Sequence, residues 1–239
     1  MNEHPASSDR PLEGRPVLVT GATGGLGGRV ARLLGEAGAP LTLVARDQRR
    51  LDDLTGVEGA RRAVDLTTPE GPAEAVRAAL EAHGSLAGVV HAAGVVAFGP
   101  VTDVDDDTVD ELFLLNALAP LRLLRAAAPA LRESAGAHGD AFLVTFSGVV
   151  AEHPQKGMAA YSASKAASWA LAAAAGDELR RDRVRVLDVR PPHTETGLAE
   201  HPVAGEAPRL PAGKDPDDVA ARVVRAVLDG DRDLPTSAF

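Results

Sequence analysis

The sequence predicts a doubly wound α/β domain, in which one parallel sheet carries helices on both faces. Three features predict it. Short apolar runs alternate with helical patterns from one end of the chain to the other, as strands joined by crossover helices do. Several runs are apolar at nearly every position, which suits strands covered on both faces. A chain of 239 residues, 45% hydrophobic and 25% charged, also suffices for one well-buried core.

The expected boundaries are a flexible N-terminus over residues 1–14 and a single domain over 15–239. Pro16–Thr20 reads as a buried strand running into the glycine cluster 21–28. Leu26, Val30, Leu33 and Leu34 then recur at helical spacing, with Gly38 as a stop. Leu41–Ala45 and Ala60–Leu66 are the second and third strands, Pro72–His83 a helix and Leu86–Ala93 the next strand. Helical patterns cover Asp105–Leu114 and Leu114–Ser134. Ala141–Phe146 is a strand, Ala159–Arg180 a long helix, Val184–Val189 a strand and Asp215–Leu228 a closing amphipathic helix. Pro191–Lys214 has no clear period; such a stretch is usually functional, as a lid, or simply mobile, and residues 192–214 are the expected substrate lid.

Composition excludes several kinds of chemistry. With no cysteine there is no disulfide framework, thiolate nucleophile or thiolate-ligated metal, and no metal site is expected. A net charge of −9 weighs against nucleic acid as a partner, and the short Arg180–Arg185 cluster does not outweigh it. No apolar run reaches the ~18 residues of a membrane span, and the polar start carries no signal-like apolar region. The expectation is a cytoplasmic protein with neither membrane nor nucleic-acid partner.

Thr20-Gly21-Ala22-Thr23-Gly24-Gly25-Leu26-Gly27 lies between the first strand and the first helix. There the chain must turn sharply and present backbone N–H groups at a helix N-terminus, where a phosphate is favoured. Glycines at 21, 25 and 27 let the backbone approach a pyrophosphate without Cβ interference. The spacing fits neither G-x-G-x-x-G, since Val30 takes the third position, nor a P-loop. Tyr161-Ser-Ala-Ser-Lys165 places a phenol and an ammonium four apart, on one face of the long helix. This is the only tyrosine of the chain beside one of three lysines. A nearby cation stabilises a phenolate, and carbonyl reduction needs a tuned proton donor of this kind.

The glycine pattern Thr20-Gly21-x-x-x-Gly25-x-Gly27, followed by Tyr161-x-x-x-Lys165, resembles the short-chain dehydrogenase/reductase family over about residues 15–230. The resemblance implies a Rossmann-type sheet and hydride transfer between a nicotinamide and a carbonyl or secondary alcohol. Tyr161 would exchange a proton with the substrate oxygen, and Lys165 would lower its pKa and hold the nicotinamide ribose. Asn116 matches the family's helix-kinking Asn that anchors a water in the proton relay. Thr20, Gly21, Thr23, Gly25, Leu26 and Gly27 would hold the pyrophosphate. Asp65 and Leu66 would flank the adenine, Ala92, Ala93 and Gly94 the ribose. Pro191, Thr194 and Thr196 would meet the nicotinamide carboxamide.

Three positions depart from the family pattern. Thirteen residues before Tyr161, where the family has its substrate-polarising Ser, stands Gly148, with Ser147 one earlier. Either Ser147 takes the role through an extra loop residue or the position is Gly; Ser147 is the expected fourth catalytic residue. His91-Ala-Ala-Gly94 replaces Asn-Ala-Ala-Gly, and Pro192 replaces a glycine. At the end of the second strand Ala45 takes the place of an NAD-type Asp, and Arg46 follows, suited to a 2′-phosphate. NADP(H) is therefore expected over NAD(H), with a homodimer or homotetramer built on the alanine-rich helix. Two alternatives remain at this stage: a non-redox cyclase, dehydratase or isomerase on the same scaffold, and a non-catalytic NADP-binding regulator.

Overall fold

The computed structural model describes residues 11–239. The first ten residues of the expected N-terminal extension lie outside them. The next four belong to the domain: Pro11–Gly14 forms a turn, Leu12 is buried in the core, and its N–H donates to the Ala37 carbonyl at 2.9 Å.

Seven parallel strands form one sheet: β1 (Val17–Thr20), β2 (Leu41–Ala45), β3 (Ala60–Ala63), β4 (Gly88–His91), β5 (Ala141–Phe146), β6 (Val184–Val189) and β7 (Asp233–Leu234). Their order is β3-β2-β1-β4-β5-β6-β7. The chain winds outward in one direction from β1, then returns to β4 on its other side. Ligands of such sheets bind at this switch point, beyond the carboxyl ends of the strands. Residues alternate between faces: Val17 and Val19 pack toward α1 (Gly27–Glu36) and α8 (Pro216–Asp229). Leu18 packs toward α3 (Gly71–His83), α5 (Ala119–His138) and α7 (Ala159–Glu178). Each buried Leu or Val contributes about 1.5–3 kcal/mol through removal from water, so these two layers make β1 the core strand. Gly88 is required by the same packing, because a Cβ there would meet the Phe142 ring at 2.2 Å.

The expected strands and long helices all form, with shifted ends; Ala60–Leu66 pairs only to Ala63, and Leu86–Ala93 only over Gly88–His91. Three short elements add to them: α2 (Gln48–Asp52), α6 (Val149–Glu152) and β7. The two expected middle helices, α4 (Asp106–Phe113) and α5, join through one π turn at Leu114–Leu118. This continuous run, Asp106–His138, is apolar and long enough to cross a membrane, and half of its apolar window is buried within the protein.

Candidate active site

The residues expected to carry function gather at the carboxyl ends of β1 to β6, as the fold requires. Thr20 ends β1 and Gly21 follows at φ +71°. A Cβ on Gly21 would meet the Ala93 nitrogen at 2.5 Å, and one on Gly27 the Gly21 carbonyl at 2.1 Å. Glycine is thus demanded at both places. The opening of α1 has neither a side-chain cap nor an acidic residue in its first turn, which leaves its N–H groups and dipole open to an anion. A cradle of this shape fits a pyrophosphate. Thr196 closes over it, so close that a Cβ on Gly25 would lie 2.6 Å from the Thr196 Cβ.

Around the end of β2, Arg46 is exposed. Next to it Asp47 accepts from the Arg49 N–H through Oδ1 at 2.8 Å and caps α2. Arg50 reaches back to donate to the Thr23 carbonyl at 3.1 Å. Asp65 accepts from the Thr67 N–H and hydroxyl at 2.9 and 2.7 Å. The Thr67 hydroxyl and the Arg46 charge hold its carboxyl below the usual range against a modest burial penalty; Leu66 beside it is buried.

Tyr161 and Lys165 occupy one face of α7, with the ammonium 5.9 Å from the ring centroid. Both are nearly inaccessible. Burial pushes the phenol up to about 12. The same burial pulls Lys165 down to about 8, opposed by the charge of Asp188. The Lys165 ammonium donates to the Phe146 carbonyl at 2.7 Å. Tyr161 is held as an acid.

Asn116 sits within the π turn. Its amide pairs with the Val95 backbone, accepting at 3.1 Å and donating at 2.9 Å, and donates to the Ser164 hydroxyl at 3.1 Å. The side chain clamps the segment after β4 to α7. Gly94 lies between the two groups: a Cβ there would stand 3.1 Å from Asn116 Oδ1 and 3.3 Å from Lys165 Nζ. Ala92 and Ala93 precede it, half-buried beside the glycine turn.

His91, which stands where the family pattern has Asn, ties two turns together. Its Nε2 lies 3.3 Å from the Leu115 carbonyl and its Nδ1 2.9 Å from the Thr20 hydroxyl. Since a carbonyl only accepts, Nε2 carries the proton and Nδ1 accepts from Thr20. Burial, and then the Lys165 charge, pull the ring down to about 3. It is a neutral tie between the glycine turn and the π turn.

Ser147 is fully buried, and its hydroxyl donates to Asp188 Oδ2 at 2.5 Å. Gly148 follows at φ 75°, ψ 169°, a conformation nearly confined to glycine. Ser147, the expected fourth catalytic residue, has its hydroxyl engaged by the carboxylate of β6, and position 148 offers no hydroxyl.

After β6, Pro191 is buried, and Thr194 donates its hydroxyl to the Pro192 carbonyl at 2.9 Å. The base of the segment is closed by a Thr194–Lys214 bridge and by Gly213 N–H donating to Glu195 at 2.6 Å. Farther on, Val203 N–H bonds the Val96 carbonyl at 2.9 Å and Phe98 N–H the Ala204 carbonyl at 3.0 Å. These ties bring Val203 and Ala204 into an apolar cluster with Val96, Phe98, Met158 and Tyr161.

The pattern of the short chain dehydrogenase family matches residues 15–206. The protein belongs to the short-chain dehydrogenase/reductase family. As a short-chain dehydrogenase/reductase it is an NAD(P)-dependent oxidoreductase. An uncharacterized oxidoreductase of Staphylococcus epidermidis is 28% identical over 198 residues, 82% of this chain and 84% of the relative. A metagenomic short-chain oxidoreductase solved with NADP is 32% identical at a TM-score of 0.77, over 95% of this chain and 98% of that one. The 3-ketoacyl-(acyl-carrier-protein) reductase of Brucella melitensis, solved with NADH, is 22% identical at a TM-score of 0.84, over 94% and 97%; it is similar in fold alone. Among the described residues no cluster of His, Asp or Glu is arranged to hold a metal.

The buried polar corner of Ser147, Asp188 and Arg190 was not read from the sequence, although its signal was there. Asp188 lies in the expected strand Val184–Val189, which also carries Arg185, and Arg190 directly follows it; charges in such a segment rarely stay buried without partners.

Proposed function

We propose that the protein reduces a small-molecule ketone or aldehyde with NADPH, Tyr161 giving the proton to the substrate oxygen. The observation that carries the reading is the buried pair of Tyr161 and Lys165, facing Gly94 and Asn116 at the switch point of the sheet. The bound nicotinamide nucleotide supplies the hydride. Tyr161, shifted to about 12, holds its proton at neutral pH and yields it only as the alkoxide forms, a donor suited to reduction. Lys165 keeps a positive charge beside the phenolate left behind, which lowers the cost of that transfer. Glycines 21, 25 and 27 with Leu26, Thr20 and Thr23 would bind the pyrophosphate. Ala92, Ala93 and Gly94 would line the ribose, Asp65 and Leu66 the adenine. Pro191, Thr194 and Thr196 would meet the carboxamide. Residues 192–214 would be the lid.

NADP(H) is favoured because β2 ends in Ala45 and Arg46 follows it, while Asp47 caps α2. A ribose diol would find no free carboxylate there, whereas a 2′-phosphate would find a guanidinium. The NADP-bound relative is in keeping with this. The assay is oxidation of NADPH, then NADH, against a panel of ketones and aldehydes. Turnover with a kcat/KM at least about tenfold higher for NADPH is expected, a difference of about 1.4 kcal/mol. Tight NADPH binding with no turnover on any carbonyl would refute it.

A further inference from the structure

We propose that Asp188 is a positioning residue for the Tyr161–Lys165 pair, its buried carboxylate supplying the counter-charge and fixing the strand end on which the Lys165 ammonium rests. The inference rests on the reading of that pair as the proton donor and its cation. Thr145 and Asp188 face each other across β5 and β6, and the Thr145 hydroxyl donates to Asp188 Oδ1 at 2.7 Å. Ser147 donates to Oδ2 at 2.5 Å. Between these two hydroxyl residues lies Phe146, whose carbonyl takes the Lys165 ammonium at 2.7 Å. One carboxylate thus holds both sides of the peptide that receives the lysine.

The charge balance points the same way. Arg190 donates to Asp188 at 2.9 Å, and it is shared with Glu152 at 2.5 Å and Asp233 at 2.7 Å. One guanidinium is shared among three carboxylates; burial pushes the Asp188 carboxyl up, while the Ser147, Thr145 and Arg190 donors favour the charged form that acts on Lys165. The other groups that face the lysine add no negative charge. His91 from β4 is neutral, Asn116 is uncharged and Tyr161 on α7 is a protonated phenol. Burial pulls the lysine down and the Asp188 carboxylate pulls it back. With the Ser147 hydroxyl on Asp188 and none at position 148, Lys165 is, among the described residues, the side-chain cation beside Tyr161 that favours proton transfer.

Because the chain has three lysines, [ε-13C]lysine labelling gives resonances that a Lys165→Arg variant assigns. The titration of Lys165 is followed in the full chain and in Asp188→Asn, with the pH profile of ketone reduction measured beside it. Removing the carboxylate is expected to move the Lys165 inflection, and the alkaline limb of kcat, to lower pH by about one unit, the size a nearby opposite charge gives. KM for the ketone should change less than about twofold. A folded Asp188→Asn protein whose Lys165 titrates as before overturns the proposal. If that variant does not fold, Ser147→Ala decides. Loss of one donor makes Asp188 easier to protonate, so the acid-side inflection of the Lys165 resonance should rise in pH; no such inflection, or no movement, overturns it. If the wild-type protein reduces no carbonyl at all, the proposed function fails, while the Lys165 titration still judges Asp188.

Discussion

The two halves of the site are built on different principles. On the β1–β2 side the backbone decides: glycines at 21 and 27 are the residues that fit, and the groups offered to a ligand are main-chain N–H groups and a helix end. On the β5–β6 side charged side chains decide: Asp188, held by Arg190, Thr145 and Ser147, sets where the strand end and Lys165 lie. A backbone-built site is local and survives wide changes elsewhere in the chain. A charge-built one depends on partners far apart in sequence, Ser147 and Asp188 being 41 residues apart, and one altered partner redirects the others.

This contrast can be broken most forcefully at Arg190. Arg190→Met leaves Asp188 buried without its cation, and a loss of about 3–5 kcal/mol is expected, read as a shift of the urea midpoint. A change below about 1 kcal/mol would mean that the corner is not held by charge. Next in size is Gly27→Ala, which forces a Cβ against the Gly21 carbonyl. It should cost about 1–3 kcal/mol and weaken NADPH binding, measured by nucleotide fluorescence, with a much smaller effect on the titration of Lys165.

Gly148→Ser tests whether the family's serine can be put back. At φ 75°, ψ 169° a serine costs about 1–3 kcal/mol, and the rate of ketone reduction should rise less than about tenfold, short of the 10²–10³ an aimed donor gives. The last test is one of pH, and it is silent at neutral pH. His91 is drawn from 6.5 to about 3 in the fold, so the unfolded chain binds the proton that the folded chain refuses. Stability should therefore fall as pH drops below about 6.5 and stop falling near 3 on this account. His91→Asn should flatten that part of the curve of stability against pH.

What was legible in the sequence follows the same division. The sheet, the glycine turn and the Tyr161–Lys165 face were readable because each depends on residues a few positions apart: a period of two or 3.6, a glycine at a sharp bend, a spacing of four. The short α2, α6 and β7 were not, since each is too brief to show a period. The fate of Ser147 was hidden for a different reason. Its position beside Gly148 matches a local pattern, but its direction is set by Asp188 on another strand, and nothing near Ser147 in sequence announces that partner. Asn116 shows an intermediate case. Its place was expected, whereas its clamp on Val95 and Ser164 depends on the π turn, which a helical pattern does not distinguish from an ordinary turn.

The most direct measurement compares Tyr161→Phe and Ser147→Ala in one assay of NADPH-dependent ketone reduction at pH 7, with NADPH binding to both confirmed. Removal of the phenolic proton should cost about 10²–10⁴ in kcat, whereas Ser147→Ala, which takes a hydroxyl only from the Asp188 corner, should cost less than about tenfold, well short of the 10²–10³ of a lost substrate-polarising donor. Equal losses in the two variants, or a Tyr161→Phe protein that still turns over at the wild-type rate, would contradict a site in which Tyr161 alone gives the proton and the Ser147 hydroxyl is taken by Asp188.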